Sequence, residues 1–280
     1  MHVYPLRNAK SGTEHAASRS LSGLRALREI LIVAIAVLVY FSVRGVMNAH
    51  ETTALANAER LIAFEQRIGL FWEHTIQSET LELSSMATIA NWVYIWGHWP
   101  VIAATMLWLL FRHRNVVRVY RNAMLISGVI GVICFALFPV APPRLIDGWG
   151  FVDTVTLQSR AYRVLQPPSM TNQFAAMPSL HFGWNLLMGI AIWRHAHGRL
   201  PRLFGALMPV VMFAAIILTA NHYFVDGLAG MIVAVTGLGL ASRIAEYGRR
   251  VLREHPELNP LTELPEPGQT ATASFQFPQS

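Results

Sequence analysis

The chain is 280 residues long, 53% hydrophobic and 14% charged, a balance that excludes an ordinary soluble domain and points to a polytopic membrane protein. Its net charge of +6 comes from 22 basic against 16 acidic residues, and every basic residue except Lys10 is arginine, so the placement of the arginines matters more than their sum. The one cysteine, Cys134, excludes an intrachain disulfide, and its apolar surroundings read as those of a buried, inert thiol.

Residues 1–28 form a polar, basic tail with Arg7, Lys10, Arg19, Arg25 and Arg28, followed by a first expected span over residues 29–47. Residues 49–82 turn amphipathic: Leu61, Ile62, Phe64, Ile68, Leu70, Phe71 and Trp72 alternate with Glu59, Arg60, Glu65, Arg67 and Glu73. Such a segment lies along a membrane interface rather than across it. A second span is expected over residues 92–111, with Pro100 inside and Trp92, Trp96 and Trp99 as an aromatic belt at one end. Arg112, Arg114, Arg118 and Arg121 separate it from a third span, residues 122–140.

The long polar loop 141–173 then carries Pro142-Pro143-Arg144, Asp147, Asp153, Arg160, Arg163 and Pro167-Pro168. Loops of that length are as a rule functional or disordered. A fourth span over residues 178–193 is followed by Arg194, His195, His197, Arg199 and Arg202. Residues 203–241 are long and apolar enough for two further spans joined near residues 219–221, and residues 245–280, rich in Pro, Glu, Thr and Gln, read as a flexible tail.

The expected fold is therefore all-α, a six-transmembrane-helix bundle over residues 29–244 with an interfacial helix segment. Short cytoplasmic loops collect arginine. The N-terminal tail, the loop around Arg112 to Arg121, the loop around Arg194 to Arg202 and the segment from Arg243 onward fall on one side of a six-span arrangement, which puts both termini in the cytoplasm. The interfacial segment, the 141–173 loop, Ser179, His181, His222 and Asp226 then share the outer face of what is expected to be the cell membrane.

Ionisable groups are costly in lipid, so His222 and Asp226, four residues apart in apolar sequence, call for a function. At helical spacing the two lie one above the other, and a carboxylate there fixes the tautomer of the imidazole and stabilises its cationic form. His181, arriving from another span, is placed to protonate a leaving alkoxide. Pro178-Ser179 reads as a helix start whose free amides and hydroxyl suit a phosphate, and Arg144 offers a planar fork to phosphate oxygens. His98, early in the second span, reads as a satisfied or interfacial histidine, and His195 and His197 fall on the arginine-rich side, away from this chemistry.

Together these residues resemble the type 2 phosphatidic acid phosphatase superfamily, and within it the branch that includes fungal inositol phosphorylceramide synthase. Its members show Lys-x6-Arg-Pro, Pro-Ser-Gly-His and Ser-Arg-x5-His-x3-Asp blocks. The second is matched by Pro178-Ser179-Leu180-His181, the third in its catalytic half by His222 and Asp226, and the first by Pro142-Pro143-Arg144 alone. The similarity runs from Gly69-Leu70-Phe71-Trp72-Glu73 through the last span. Leu137 and Ile216 stand where the family has its lysine and an arginine, and Arg160 and Arg163 are the candidate substitutes.

What the resemblance implies is a metal-independent phosphoric ester hydrolase or phosphotransferase of lipid metabolism, inositolphosphotransferase-like, that needs no cofactor. In it His222 attacks phosphorus to give a phosphohistidine, Asp226 orients it, His181 protonates the leaving group, and Ser179, Arg144, Arg160 and Arg163 hold phosphate. The expected partners are a lipid phosphate or related amphiphilic phosphoester and the membrane lipids, not nucleic acid. Three rival readings stand beside it: a transport protein using His222 and Asp226 as an ion or proton relay, a metal-dependent hydrolase ligated by His181, His222 and Asp226, and a non-catalytic scaffold.

Overall fold

The structure, a computed structural model, describes residues 23–24, 27–35, 38–39, 51–82, 84–158 and 173–256. Among these the regular structure is helical: α1 (Glu51–Arg67), α2 (Glu73–Glu82), α3 (Ser84–Trp96), α4 (Trp99–Arg112), α5 (Arg114–Leu137), α6 (Thr154–Gln158), α7 (Leu180–His195), α8 (Arg199–Leu218) and α9 (Phe224–Glu254), with a 3-10 turn at Pro143–Leu145. Residues 1–241 form one compact unit and residues 242–280 a second; α9 passes from the first into the second.

Among the described residues three helices are long and apolar enough to cross a bilayer: α5, α8 and α9. The segment expected as the second span is not one straight helix. It breaks into α3 and α4, bent by 43°, because Gly97 and His98 close α3 while Pro100 starts α4. Proline tolerates a first-turn position, where its missing N–H has no intrahelical partner, and cannot continue the helix before it. Counted as one broken span, this pair raises the number of crossings to four.

The fourth expected span is α7, whose 16 residues rise only about 24 Å, short of a typical hydrocarbon core. Residues 29–35 and 38–39 of the first expected span are helical, and the remainder lies outside the described residues. The six-span expectation thus reduces to three or four candidate crossings among the described residues. Within residues 51–82 the expected amphipathic segment forms two helices, α1, which buries Ala54, Ala58, Leu61 and Ile62, and α2, whose buried residues are the polar Glu73, Gln77 and Thr80.

The core sits between α4, α5, α7, α8 and the first half of α9, built on Leu109, Tyr120, Trp184, Leu187, Met188 and Ala234. Helix α7 is its axis, packing on α8, α4 and α5. Small residues set its distance from α9: a Cβ at Gly183 would lie 2.7 Å from the Gly230 carbonyl, and one at Gly230 would strike the carbonyl of Ser179. Only glycine at both positions allows these backbones to touch, the device by which membrane helices approach closely. The approach joins two sets of polar residues, because Ser179 and His181 stand at the start of α7, Asp226 lies in the first turn of α9 and His222 just before it.

The far ends of these helices carry the arginines. Arg121 and Arg118 at the start of α5 both engage the buried carboxylate of Glu29, Arg118 at 3.5 Å, and His195 at the end of α7 meets the Tyr120 hydroxyl at 3.3 Å. Cys134 is half-buried on α5 rather than enclosed in the core as expected, because α5 turns part of its surface outward.

Candidate functional site

The site is built on the turn between α8 and α9. Thr219 ends α8, and Ala220 takes a left-handed conformation (φ 50°), which lets the amides of Asn221 and His222 fold back onto the Ile216 carbonyl at 3.1 and 3.2 Å. A non-glycine residue there costs about 1–2 kcal/mol, so the surrounding structure must hold it. Several bonds do. Asn221 donates to the Thr219 hydroxyl at 2.8 Å, Tyr223 donates its hydroxyl to the Ala141 carbonyl at 3.2 Å, and the Arg144 amide donates to the Ala220 carbonyl at 3.0 Å.

His222 and Asp226 are brought together, though not on one helical face as their spacing predicts. α9 starts only at Phe224, so His222 lies in the turn, and the Asp226 carboxylate folds back from the first helical turn as a cap. Its Oδ2 accepts from the Tyr223 amide at 3.0 Å and lies 3.4 Å from His222 Nδ1. The nearer partner of Nδ1 is the carbonyl oxygen of Ala176, at 2.8 Å. A carbonyl only accepts, so Nδ1 carries the proton and the lone pair resides on Nε2. Nothing in the residue pattern signals a backbone acceptor. It is delivered by the strand-like segment before α7, where the Ala176 amide donates to Val140 at 3.2 Å and the Ser179 amide to the Asp226 carbonyl at 2.9 Å.

His181 is the second half of the site. Its ring centroid is 6.1 Å from that of His222, close enough for both rings to address one phosphate. It is half-buried in a stack: Tyr94 lies on one contact at 4.4 Å and 14°, His98 on another at 4.2 Å and 29°. His98 in turn stacks on Trp184 at 6.0 Å, and its Nδ1 is 3.1 Å from the Asn185 side-chain amide, which also donates to the His181 carbonyl at 3.0 Å. Tyr94 and His98 come from either side of the α3–α4 break. The bend is what lets both residues reach His181. Of the belt tryptophans, Trp92 and Trp96 point outward, whereas Trp99 packs inward on Trp184.

Ser179 is fully buried as the N-cap of α7, its hydroxyl accepting from the Phe182 amide at 3.5 Å. Arg144 stands in the 3-10 turn beside the His222 turn, its Nε 3.3 Å from Asp153 Oδ2. The loop that carries both is stapled by reciprocal amide pairs: Gln77 to Val152 (2.8 and 3.0 Å) and Asn91 to Thr154 (3.0 and 2.9 Å). Arg160 and Arg163 lie outside the described residues. Where family members carry cations, Leu137 is exposed at the end of α5, and Ile216 is buried in an apolar cluster with Tyr94, Val155 and Met212.

Two further carboxyl groups reach the site from the interfacial helices. Glu65, near the end of α1, accepts from the Val225 amide at 2.8 Å, and Glu73, at the start of α2, accepts from the Phe224 amide at 2.8 Å. Both are fully buried. They satisfy the first amides of α9, groups that a helix leaves without intrahelical acceptors. Burial, then the hydrogen bond to Glu73 and the charge of Glu73, push the Glu65 carboxyl up to about 9. The amphipathic pattern places these glutamates on a polar face; their reach across more than 150 positions of sequence has no local signature.

The described residues thus converge on one end of the bundle: an oriented His222, a stacked His181 and the Arg144 turn, while His195 stands at the opposite end of α7. No curated protein and no solved structure matches the chain. A family model does, the PAP2 superfamily, over residues 59–240, which run from α1 through most of α9 and enclose every one of these groups. The chain belongs to the PAP2 superfamily.

Proposed function

We propose that the protein is a membrane lipid-phosphate phosphatase or phosphotransferase that cleaves a phosphoester through a phosphohistidine on His222. The observation that carries this reading is the pinned imidazole: Nδ1 is held by Ala176 at 2.8 Å with Asp226 at 3.4 Å, which aims the Nε2 lone pair as a nucleophile. Membership of the superfamily supports phosphoester chemistry.

In the first step His222 Nε2 attacks phosphorus, the P–O bond to the lipid breaks, and the leaving alkoxide takes a proton from His181. In the second, His181 removes a proton from water or an alcohol, whose oxygen attacks phosphorus and releases His222. Asp226 stabilises the imidazole while it carries positive charge. The guanidinium of Arg144, oriented through its Nε by Asp153, presents its Nη groups to phosphate oxygens, with Arg160 and Arg163 as further cations from the same loop. Ser179 contributes by fixing the start of α7, whose first-turn amides face the same anion.

The amphiphilic substrate keeps its tails in lipid while the headgroup enters beside α1 and α2. The arginine-rich ends of α5, α7 and α8 support a reading in which this mouth faces outward at the cell membrane, with the termini inside. An alcohol acceptor such as a polyol would make the protein inositolphosphotransferase-like.

The test is incubation of purified protein with lipid phosphates radiolabelled on phosphorus, with and without alcohol acceptors, followed by a quench in alkaline detergent. A labelled protein adduct, stable in alkali and labile in acid, is expected from wild type and absent from His222→Ala. Phosphate release by His222→Ala at the wild-type rate would sink the mechanism, and proton transport without phosphate release would select the relay instead.

A further inference from the structure

Three carboxyl groups, Glu65, Glu73 and Asp226, surround the start of α9, each fully buried. Each spends one oxygen on a backbone amide of residues 223–225, at 2.8 to 3.0 Å. Counted as carboxylates, Glu65 and Glu73 each leave Oε2 buried with no hydrogen-bond partner among the described residues. Two adjacent carboxylates cannot both ionise in so dry a place, because neither charge is solvated and each repels the other. One proton resolves both problems, since it turns the repulsion into a hydrogen bond between the two side chains.

We propose that Glu65 is a positioning residue that works as a neutral acid, donating its proton to Glu73 and accepting the Val225 amide, so that the catalytic turn is clamped while Asp226 is left as the carboxylate facing His222. The groups that face Glu65 are Glu73 from α2, Tyr223 and Asp226 from the start of α9, and His222 beyond Asp226; Leu61 and Ile62 complete the surroundings on its own helix. His222 is the basic group paired with this acidic cluster, and it is already committed to Asp226 and Ala176. A further ionised carboxylate beside Asp226 and Glu73 would add unsolvated negative charge to a dry turn. A neutral Glu65 keeps the clamp without that charge.

The sign of the pH dependence follows. Glu65 holds its proton more tightly folded than unfolded, so its contribution to stability is complete below its ordinary range near 4.5 and is lost as pH rises toward about 9. Glutamine reproduces the neutral acid: its carbonyl accepts from Val225, its amide donates to Glu73, and it does not titrate.

The inference rests on the reading of His222 as the nucleophile, so its test has one arm that needs no activity. Thermal unfolding of the full-length protein in micelles is followed from about pH 5 to about pH 10 for wild type, Glu65→Gln and Glu65→Ala. Wild type is expected to lose Tm across that range and Glu65→Gln to lose the slope. In the second arm, Glu65→Gln keeps kcat on a lipid phosphate within about threefold of wild type, whereas Glu65→Ala drops it about thirtyfold or more with KM little changed. An identical Tm slope in wild type and Glu65→Gln overturns the inference, as does a Glu65→Gln enzyme as impaired as Glu65→Ala. A wild type with no phosphoester activity but a Tm slope that Glu65→Gln removes would overturn the functional reading and keep the neutral acid.

Discussion

The nitrogen of His222 that carries the proton is held by Ala176, at 2.8 Å, more closely than by Asp226, at 3.4 Å. A backbone carbonyl neither titrates nor changes rotamer, so the tautomer is secured before the carboxylate acts. Asp226 is then free for two other tasks: it caps the Tyr223 amide, and under the proposed mechanism it would supply the charge that a phosphorylated imidazole needs.

This division of labour separates two substitutions that a simple His–Asp dyad would treat alike. Asp226→Asn keeps the oxygen acceptor for Tyr223 and loses only the charge, so kcat is expected to fall about 100-fold with Tm nearly unchanged. Asp226→Ala leaves a buried amide without its acceptor and is expected to cost a further ~1–3 kcal/mol of stability. His222→Ala abolishes turnover. Steady-state phosphate release and thermal unfolding on the same preparations check all three, and equal loss in Asn and Ala variants would contradict the backbone-held tautomer.

The stack on His181 makes a second prediction. Tyr94 and His98 fix the plane of the His181 ring from two sides, at 4.4 and 4.2 Å. His98→Ala is expected to lower kcat about tenfold by freeing the ring, with His98→Phe recovering much of the loss because it restores the stack without the bond to Asn185. His195→Ala, at the other end of α7, is expected to have no effect. Steady-state kcat of the His98 variants beside His195→Ala checks this, and a His195→Ala enzyme as impaired as His98→Ala would contradict it.

How much of this was legible in the sequence follows the range of each interaction. Helices long and apolar enough to cross a bilayer at α5, α8 and α9 follow from local hydropathy, and the structure has them; arginine placement puts His181 and His222 at one depth, and their ring centroids lie 6.1 Å apart. The break in the second span is hard to read from hydropathy because Gly97, His98 and Pro100 sit inside an otherwise continuous apolar run, where averaging passes over it. The roles of Ala176, Glu65, Glu73 and His98 were hidden for another reason. They depend on backbone groups or on partners more than forty positions away, which no window of sequence contains.

Arg144 tests the phosphate cradle. Its Nε is engaged by Asp153 at 3.3 Å and its amide by Ala220, so both ends of the residue are fixed relative to the nucleophile's turn. Arg144→Ala is expected to reduce kcat/KM about 100- to 1000-fold, and Arg144→Lys to recover little, since a lysine cannot pair with Asp153 and present a fork at once. Asp153→Asn should raise KM several-fold with a smaller change in kcat. Recovery to near wild type in Arg144→Lys would show that charge alone suffices there.

The close approach of α7 and α9 yields the sharpest contrast in stability. A Cβ at Gly230 would meet the carbonyl of Ser179, a backbone atom that also caps Gly183 at 3.0 Å and cannot swing aside. Overpacking of this kind costs about 1–3 kcal/mol and forces the helices apart. At Gly239, on the same helix, an added Cβ meets nothing within 4 Å. Gly239→Ala therefore gains the ordinary helix preference of alanine, about 0.8–1 kcal/mol. Gly230→Ala is expected to lower Tm and to lose activity out of proportion, because it displaces Ser179, whose amide donates to the Asp226 carbonyl at 2.9 Å, whereas Gly239→Ala should raise Tm with turnover intact. Unfolding curves of the two variants beside wild type decide it, and equal behaviour of the pair would mean that glycine at position 230 does not set the spacing of the two catalytic helices.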